Sequence, residues 1–468
     1  MTFLYRSRAG SVWRPSLLNL VAFTLFLHHA GAQQQSAAAA QGPAPAITLD
    51  QAIARARVNE PNFVAAIAAS RNAALDRSIA RAALLPGVAY NNQYVYTQPS
   101  HCPSTNQICL ADSGQSASAA STPVRFIANN SVHEYVSQAS VTELLGAQQW
   151  NAVSKASASL AVATAELEIA RRGLVSTVAG LFYGVATASR RVAIAQRATD
   201  EAASLTQLTS QRETAREAAH ADVVKAQLQQ QQRDRDLADA QLRQAKAHLE
   251  LAVLLFPDPR SEYTVAASDL PPSVPSRADV EAALAKHNPE LESALASSRL
   301  ASLNVLAARL AYLPSLELNY SYGIDSTHFA MMNADGSRNL GYSASASLNV
   351  PVWDWFTTRD KVRQSEISRD AARVLLSNTQ RKVIADLEEG YAEAVAAREQ
   401  LDSLSQSVAT ATESLRLTRL AYAAGETPIL SVVDAENSLT TSETAREDGI
   451  LRYQTALANL QLLTGTLQ

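Results

Sequence analysis

The chain lacks features that mark several common protein classes. Among its 468 residues only 6% are aromatic and two are cysteine, and the net charge is only −4. So small an excess of one sign gives no indication of nucleic-acid binding. No run of eighteen apolar residues follows residue 32, so the mature chain should have no transmembrane helix. If it enters a membrane, it must do so as a closed β-barrel.

Signatures of enzymes are missing as well. The histidines beyond residue 32 show no metal-ligand spacing. There is no Walker motif, no Gly-x-Ser-x-Gly and no glycine-rich dinucleotide loop. Acidic residues alternate with Arg and Lys, as in Arg233-Asp-Arg-Asp236, a mixture typical of a solvated helix face. We therefore expect no enzymatic activity, no cofactor and no metal.

The N-terminus carries an export signal. Arginines precede an apolar run at 17–27, and the small residues Ala30 and Ala32 follow it. This pattern predicts a signal peptide at 1–32, since about eleven apolar residues are too few to span a bilayer. No cysteine follows the cleavage position, so a lipoprotein anchor is not expected.

The two cysteines, Cys102 and Cys109, lie in a Ser-rich stretch. In an oxidising compartment, this spacing predicts a local disulfide that contributes roughly 2–3 kcal/mol. A metal site that includes His101 is the alternative.

Proline is absent from 124–256, from 352–427 and from 429 to the end. Because proline breaks helix interiors, these gaps are where long helices can form. We expect one from Leu145 to Arg212 and another from Asp354 to Tyr422, each on the order of 100 Å long.

An internal duplication organises the chain. Leu85-Pro86-Gly87 recurs as Leu313-Pro314-Ser315 at a spacing of 228, and later matches recur at about 208, so one repeat has an insertion that contains both cysteines. The predicted regions are a signal peptide at 1–32, a flexible lead at 33–47, a first repeat at 48–256, a linker at 257–276 and a second repeat at 277–468.

Each repeat contains two segments that alternate between apolar and small polar side chains. They predict strands at about 87–98, 130–143, 315–325 and 339–351. A soluble half-buried sheet would alternate in the same way, but export and the tyrosines near the strand ends favour a membrane barrel. Four strands cannot close a barrel, whereas three chains would supply twelve and leave a lumen.

The stretch from Tyr422 to Glu436, Tyr-Ala-Ala-Gly-Glu-Thr-Pro-Ile-Leu-Ser-Val-Val-Asp-Ala-Glu, is the most specific motif. With Asn349–Asp354 and the closing Tyr453–Gly465, it resembles the TolC family of outer-membrane efflux proteins. The resemblance covers about Thr48 to Gly465. It implies a mainly α fold with a transmembrane β-barrel portion, in which long α-helical hairpins are duplicated and each repeat gives two β-strands to a trimeric twelve-stranded barrel.

The same resemblance implies a homotrimer in the outer membrane, in contact with lipid and extending into the periplasm. It would passively conduct small molecules or secreted substrates to the exterior, together with a periplasmic adaptor (membrane fusion protein) and an inner-membrane transporter. The resemblance does not identify the cargo. The alternative is a periplasmic coiled-coil structural or adaptor protein without a pore, which would explain the helices and the export but not the strands.

The resemblance also implies an iris-like gate at two turns, about Glu213–Ala221 and Ala424–Pro428. In the family, a tyrosine and a basic residue near the second turn bond to an aspartate near the first. Tyr422 and Asp222 match the tyrosine and the aspartate. Thr427 stands where the basic residue would be, so either the closed state is held less firmly or Arg216 or Arg419 replaces that residue.

The remaining expected tip residues are Gly425, in the Tyr-x-x-Gly turn, and two positions of the family's aspartate rings. Asp434 matches one ring position, and Ser431 replaces the other. Asp434 is alternatively a solvated helix residue, and the helix dipole alone would explain Asp222. Trp353 and Trp355 are expected in an aromatic belt at the membrane interface.

Overall fold

The computed structural model describes residues 45–96, 133–266, 272–286 and 288–465. The predicted signal peptide, nearly all of the predicted lead, and Cys102 and Cys109 lie outside these ranges.

The structure is mainly α-helical, and the same order of elements occurs twice. The first half contains β1 (Ala46–Ile47), α1 (Leu49–Asn59), α2 (Pro61–Ala82), β2 (Gly87–Tyr96), β3 (His133–Leu145), α3 (Ala147–Thr214) and α4 (His220–Leu255). The second half contains β4 (Thr264–Val265), α5 (Arg277–Lys286), α6 (Pro289–Leu310), β5 (Ser315–Ser326), β6 (Leu340–Asn349), α7 (Thr357–Ala423) and α8 (Ile429–Thr464). The expected fold class, long helical hairpins with two strands from each half, is confirmed. The limits of the sequence repeats stay a prediction.

Local signals determine where the helices begin. Thr48 and Gln51 form a capping box at the start of α1. Proline stands at the first position of α2 and α6, where its missing N–H removes no helical hydrogen bond. The helices α3 and α7 run for 68 and 67 residues, so each is on the order of 100 Å long. Both agree with the predicted helices, 145–212 and 354–422, to within three residues.

Four strands form one antiparallel sheet in the order β2-β3-β5-β6. In the pairing of β3 with β5, Val141 lies opposite Tyr320, and in the pairing of β5 with β6, Tyr322 lies opposite Tyr342. The central pair therefore joins one strand from each half of the chain. A second, two-stranded sheet pairs β1 with β4 in parallel. The predicted fourth strand, 339–351, is slightly too long because Pro351 has no N–H to give to the sheet.

The register gives the four-stranded sheet two unlike faces. One face, called here the apolar face, carries these side chains: Val88, Tyr90, Tyr94, Val141, Leu316, Leu318, Tyr320, Tyr322, Ile324, Leu340, Tyr342 and Leu348. The opposite face, the polar face, is mostly small or polar: Asn91, Gln93, Gln138, Ser140, Thr142, Glu317, Asn319, Ser321, Asp325, Ser343, Ser345 and Ser347.

Two polar side chains on the apolar face, Ser137 and His133, form hydrogen bonds with tyrosines. The Tyr90 hydroxyl lies 2.6 Å from Ser137 Oγ, and the Tyr94 hydroxyl lies 2.7 Å from His133 Nδ1. Hydrogen bonding of this kind lowers the cost of placing polar atoms among apolar side chains.

No described helix is both long enough and apolar enough to span a membrane.

The largest apolar core lies where α1, α3, α4 and the β1–β4 pair meet. Phe182, Leu251 and Ile47 are almost fully buried there. Tyr263 packs on the same core, and its hydroxyl donates to the carbonyl of His248 at 2.8 Å. Burial raises the pKa of Tyr263 to about 12.

Candidate functional site at the helical tip

Two tight turns form the tip of the long helices. The first, 215–219, connects α3 to α4, and the second, 424–428, connects α7 to α8. Each has one residue with positive φ at the same place: Arg216 at 65° and Gly425 at 79°. Glycine adopts this conformation without steric cost, whereas arginine does not.

Both turns use the same hydrogen-bond pattern. Glu217 N–H donates to the Arg212 carbonyl at 2.8 Å, and Glu426 N–H donates to the Ala421 carbonyl at 2.9 Å. A second bond joins Gly425 N–H to the Tyr422 carbonyl, with a counterpart in the first turn. This is the Schellman arrangement, which satisfies carbonyls that a helix end would leave unpaired.

A buried apolar cluster joins the two hairpins next to the turns. Its members come from all four long helices: Leu205, Ala226, Leu415, Tyr422, Ile429, Val432, Ala435 and Leu439. Each fully buried aliphatic side chain contributes about 1.5–3 kcal/mol. The tip of one hairpin is thus held against the tip of the other by packing before any polar contact is considered.

Arg212, in the last turn of α3, makes a polar contact between the hairpins next to the turns. Its Nη1 donates to the Tyr422 carbonyl and its Nη2 donates to the Ala423 carbonyl, both at 2.9 Å. Its guanidinium also lies over the Tyr422 ring, 4.7 Å from the centroid. A cation therefore caps the C-terminal end of α7, where the helix dipole favours positive charge.

The expected hydrogen bond between Tyr422 and Asp222 is not formed within the described part of the chain. The Tyr422 hydroxyl lies instead 3.4 Å from Thr209 Oγ1. Thr209 already donates to the Leu205 carbonyl at 2.8 Å, so Tyr422 is the donor in this long contact. Tyr422 is buried in the apolar cluster, together with Leu205 of α3 and Val432 of α8.

Asp222 and the other expected tip residues are placed as follows. Asp222 lies in the first turn of α4, 3.8 Å from Lys225 Nζ, so its contact is within its own helix. Thr427 is half-buried, and its hydroxyl has no hydrogen-bond partner among the described residues. Ser431 is half-buried and Asp434 is exposed, one turn apart on α8. Their roles in gating stay predictions.

Arg419, one of the two candidates for the missing basic residue, forms a three-helix contact. Its Nη2 lies 2.9 Å from Glu201 on α3 and 2.9 Å from Glu436 on α8. Glu436 is only 5% exposed, and burial raises its pKa although Arg419 acts in the opposite direction. The other candidate, Arg216, is the residue with positive φ in the first turn.

The sequence did not predict that Arg212 contacts the other hairpin. An arginine in the last turn of a helix is explained by capping its own helix. Its partners are instead about 210 positions away along the chain, on the other hairpin. No sequence signal identifies that contact, because it depends on how α3 packs beside α7.

The aromatic residues expected at a membrane interface lie between β6 and α7. Trp353 and Trp355 are exposed, with ring centroids 5.9 Å apart. Trp355 and Phe356 both have positive φ, and hydrogen bonds from Thr357 and Thr358 to Asp354 stabilise this junction. Their position at an interface stays a prediction.

In the described ranges, no group of three or more His, Cys, Asp or Glu side chains could hold a metal ion. What the tip offers is a set of reversible contacts between two hairpins: two bonds to carbonyls, one cation–ring contact and one shared ion pair. Such contacts can be broken and remade without covalent chemistry when two hairpins move relative to each other.

The sequence of the chain is similar to those of several known outer membrane proteins. Residues 281–466 match the family model described as outer membrane efflux protein. The chain is 26% identical over 192 residues to the outer membrane protein OprJ of Pseudomonas aeruginosa, covering 41% of this chain and 38% of OprJ. It is 26% identical over 252 residues to the protein CyaE of Bordetella pertussis, covering 52% and 53%. The chain thus spans between about two fifths and half of the relatives' lengths.

Solved structures show the same fold over nearly the whole chain. The Campylobacter jejuni CmeC outer membrane channel has a TM-score of 0.77 at 14% identity, covering 89% of this chain and 85% of CmeC. The open state of the Neisseria gonorrhoeae MtrE outer membrane channel has a TM-score of 0.71 at 20% identity, covering 89% and 88%. Residues 281–466 are thus similar in sequence to the outer membrane efflux protein family, and the chain shares the fold of these outer membrane channels.

Proposed function

We propose that the chain is one protomer of an outer-membrane channel of a tripartite efflux or secretion system. Three copies would close a twelve-stranded barrel, and their long helices would continue it as a tunnel into the periplasm. Cargo would pass passively from the periplasm to the exterior. The helical tip would be the gate, where a periplasmic adaptor and an inner-membrane transporter dock.

The observation that carries this proposal is the two-faced sheet. Its apolar face is exposed along its length, with Tyr90, Tyr322 and Tyr342 all accessible. A continuous exposed apolar surface marks a membrane or protein contact, since it is costly in water. The strands have 10 to 13 residues, the length that a tilted bilayer crossing requires.

The outer strands of the sheet support an assembly. Strand β2 and strand β6 each pair on one side only in the described structure. An unpaired strand edge cannot face lipid, because its backbone groups would lack hydrogen bonds. Pairing β6 of one copy with β2 of the next removes every edge when the ring closes, and twelve strands leave an open lumen.

The polar face would then line the lumen. It carries Glu134, Glu317 and Asp325, whereas none of the four strands contains Lys or Arg. Three copies of each carboxylate would favour cations in transit. Asp434, exposed on α8 near the tip, would add a further carboxylate ring if it faces the tunnel.

Two neighbouring positions on β6 test the proposal. Ser345 lies on the polar face and Ala344 on the apolar face. Each is replaced singly by cysteine in a chain in which Cys102 and Cys109 are serine. In vesicles, a charged maleimide should label S345C and leave A344C unlabelled, because only the lumen side meets water.

Equal labelling of both variants would contradict the membrane barrel and favour the periplasmic coiled-coil protein without a pore. Each variant is also run unboiled and boiled on a detergent gel. A barrel trimer should dissociate only on boiling. Channel conductance in a planar bilayer then tests transport separately from assembly.

A further inference from the structure

A cavity of about 270 Å³ lies among α3, α4 and α8, away from the tip contacts. Its lining residues come from 184–198 of α3, 233–243 of α4 and 440–451 of α8. Much of the lining is small or aliphatic: Gly184, Ala188, Ile194, Ala195, Ala198 and Leu451. The cavity therefore has a partly apolar lining to which both hairpins contribute.

Positive charge dominates the polar part of this lining. Arg191, Arg233 and Arg243 all contribute, against the single carboxylate of Asp236. The Arg233 side chain is only 10% exposed and lies 3.4 Å from Asp236. Asp448 pairs with Arg191 but is not part of the lining. After these two pairings, Arg243 still has no acidic partner in the cavity.

Two buried polar atoms of the lining have no hydrogen-bond partner. Thr187 is 3% exposed and its hydroxyl is unbonded, and Arg191 Nε is also buried and unbonded. Thr440 and Thr444 differ, since both donate to carbonyls of their own helix. Leaving a buried donor unpaired costs about 1–3 kcal/mol, so two in one cavity require an explanation.

The arginines are also crowded. Burial lowers the pKa of Arg191, and the nearby positive charge of Arg243 lowers it further, while Glu447 acts in the opposite direction. An anion placed between them would relieve this repulsion and accept hydrogen bonds from both guanidinium groups.

We propose that this cavity binds a small organic anion with one carboxylate head and a compact apolar body. The carboxylate accepts hydrogen bonds from Arg191, Arg243 and the Thr187 hydroxyl. The body packs on Ile194 and Leu451. Ligand pockets usually measure roughly 300–1,000 Å³, so a cavity of about 270 Å³ selects a ligand of few heavy atoms.

The test uses 4-fluorobenzoate as the probe and 4-fluorobenzamide as its neutral counterpart of the same shape. Fluorine NMR titrations follow both compounds with the purified, detergent-solubilised full chain. The benzoate should bind saturably at one site per chain, and the amide should bind at least tenfold more weakly, because a charge-assisted hydrogen bond contributes more than a neutral one.

Three variants assign the binding to this cavity. Arg243→Gln should weaken benzoate binding about tenfold or more, and Thr187→Val about fivefold. Thr187→Val removes an unbonded buried hydroxyl, so it should fold at least as stably as the parent chain. Arg235→Gln is the matched control on α4 and should leave binding unchanged, because the Arg235 side chain bonds Gln232 on the surface and does not line the cavity.

The proposal is overturned if benzoate shows no saturable binding, or if the amide binds equally well. Equal affinity in the Arg243→Gln variant and the parent chain would overturn it too. An equal loss of affinity in Arg243→Gln and in the control Arg235→Gln would also overturn it, because binding would then depend on surface charge and not on the cavity.

Discussion

Replacing Arg212 by glutamine removes the polar contact through which α3 caps the end of α7. Glutamine keeps helix propensity and similar length, but it loses the charge and the fork that reaches two carbonyls. Both bonds are 2.9 Å long, and the guanidinium lies 4.7 Å from the Tyr422 ring centroid. If the hairpins separate when the tip opens, all three interactions are lost in the open state of the parent chain.

The expected magnitude follows from these contacts. A hydrogen bond from a charged donor contributes about 1.5–3 kcal/mol, and partial exposure here places each near the lower end of that range or below. A cation–ring contact at a partly exposed position adds about 0.5–1 kcal/mol. Arg212→Gln should therefore favour the open state by about 2–3 kcal/mol, which is a factor of roughly 30 to 150 in the ratio of open to closed tips.

Conductance of single channels in planar bilayers measures this ratio. Arg212→Lys should show an intermediate effect, since lysine keeps the charge but cannot reach both carbonyls. Tyr422→Phe should change the ratio less than Arg212→Gln, because the tyrosine hydroxyl makes only a 3.4 Å contact. Arg416→Gln is the control, since Arg416 pairs with Glu413 within its own helix.

The reasoning is refuted if Arg212→Gln folds, assembles and conducts like the parent chain. An effect of equal size in Arg416→Gln would also refute it, because general loss of positive charge on the hairpins would then be the cause.

Two further predictions concern the turns and the buried acid. Gly425→Ala should lower the free energy of unfolding by about 1 kcal/mol, and Arg216→Gly should raise it by a similar amount, since both positions have positive φ. Denaturant titration measures both changes. Changes of the same sign in the two variants would contradict the argument. Burial raises the pKa of Glu436 in the folded protein. Above this folded-state pKa, the buried charge lowers the stability of the folded protein. That loss disappears as the pH falls through the folded-state pKa towards the unfolded-state pKa. Relative to Glu436→Gln, the parent chain should therefore gain stability on acidification from pH 7 to pH 4, and a Tm difference that stays constant over this range would disprove it.

Much of the fold follows from local rules that a sequence carries on its own. The helices predicted inside the proline-free ranges match α3 and α7 to within three residues, and proline marks these ranges because one interior proline is enough to break a helix. Alternation with period two located all four strands and assigned their faces, because successive side chains on a strand point in opposite directions. The second turn, which the family resemblance placed at 424–428, is found there.

The first turn was less well defined. The prediction of 213–221 is wider than the observed 215–219, because Arg216 has a conformation that sequence rules assign to glycine. The interpretation of Arg233–Asp236 as a solvated face was wrong for Arg233, which is buried against α8. A charged residue is normally exposed, and only the packing of a third helix could bury it.

The sequence by itself determined which segments are helix and strand, where the helices end, and which face of each strand is apolar. These properties depend on neighbours within a few residues, so they can be derived before any packing is known. Only the tertiary structure decided that Arg212 caps α7, that Tyr422 contacts Thr209 and not Asp222, and that three arginines meet in one cavity. Each of those contacts joins residues from different helices, and a small rotation or shift between long helices would change them all.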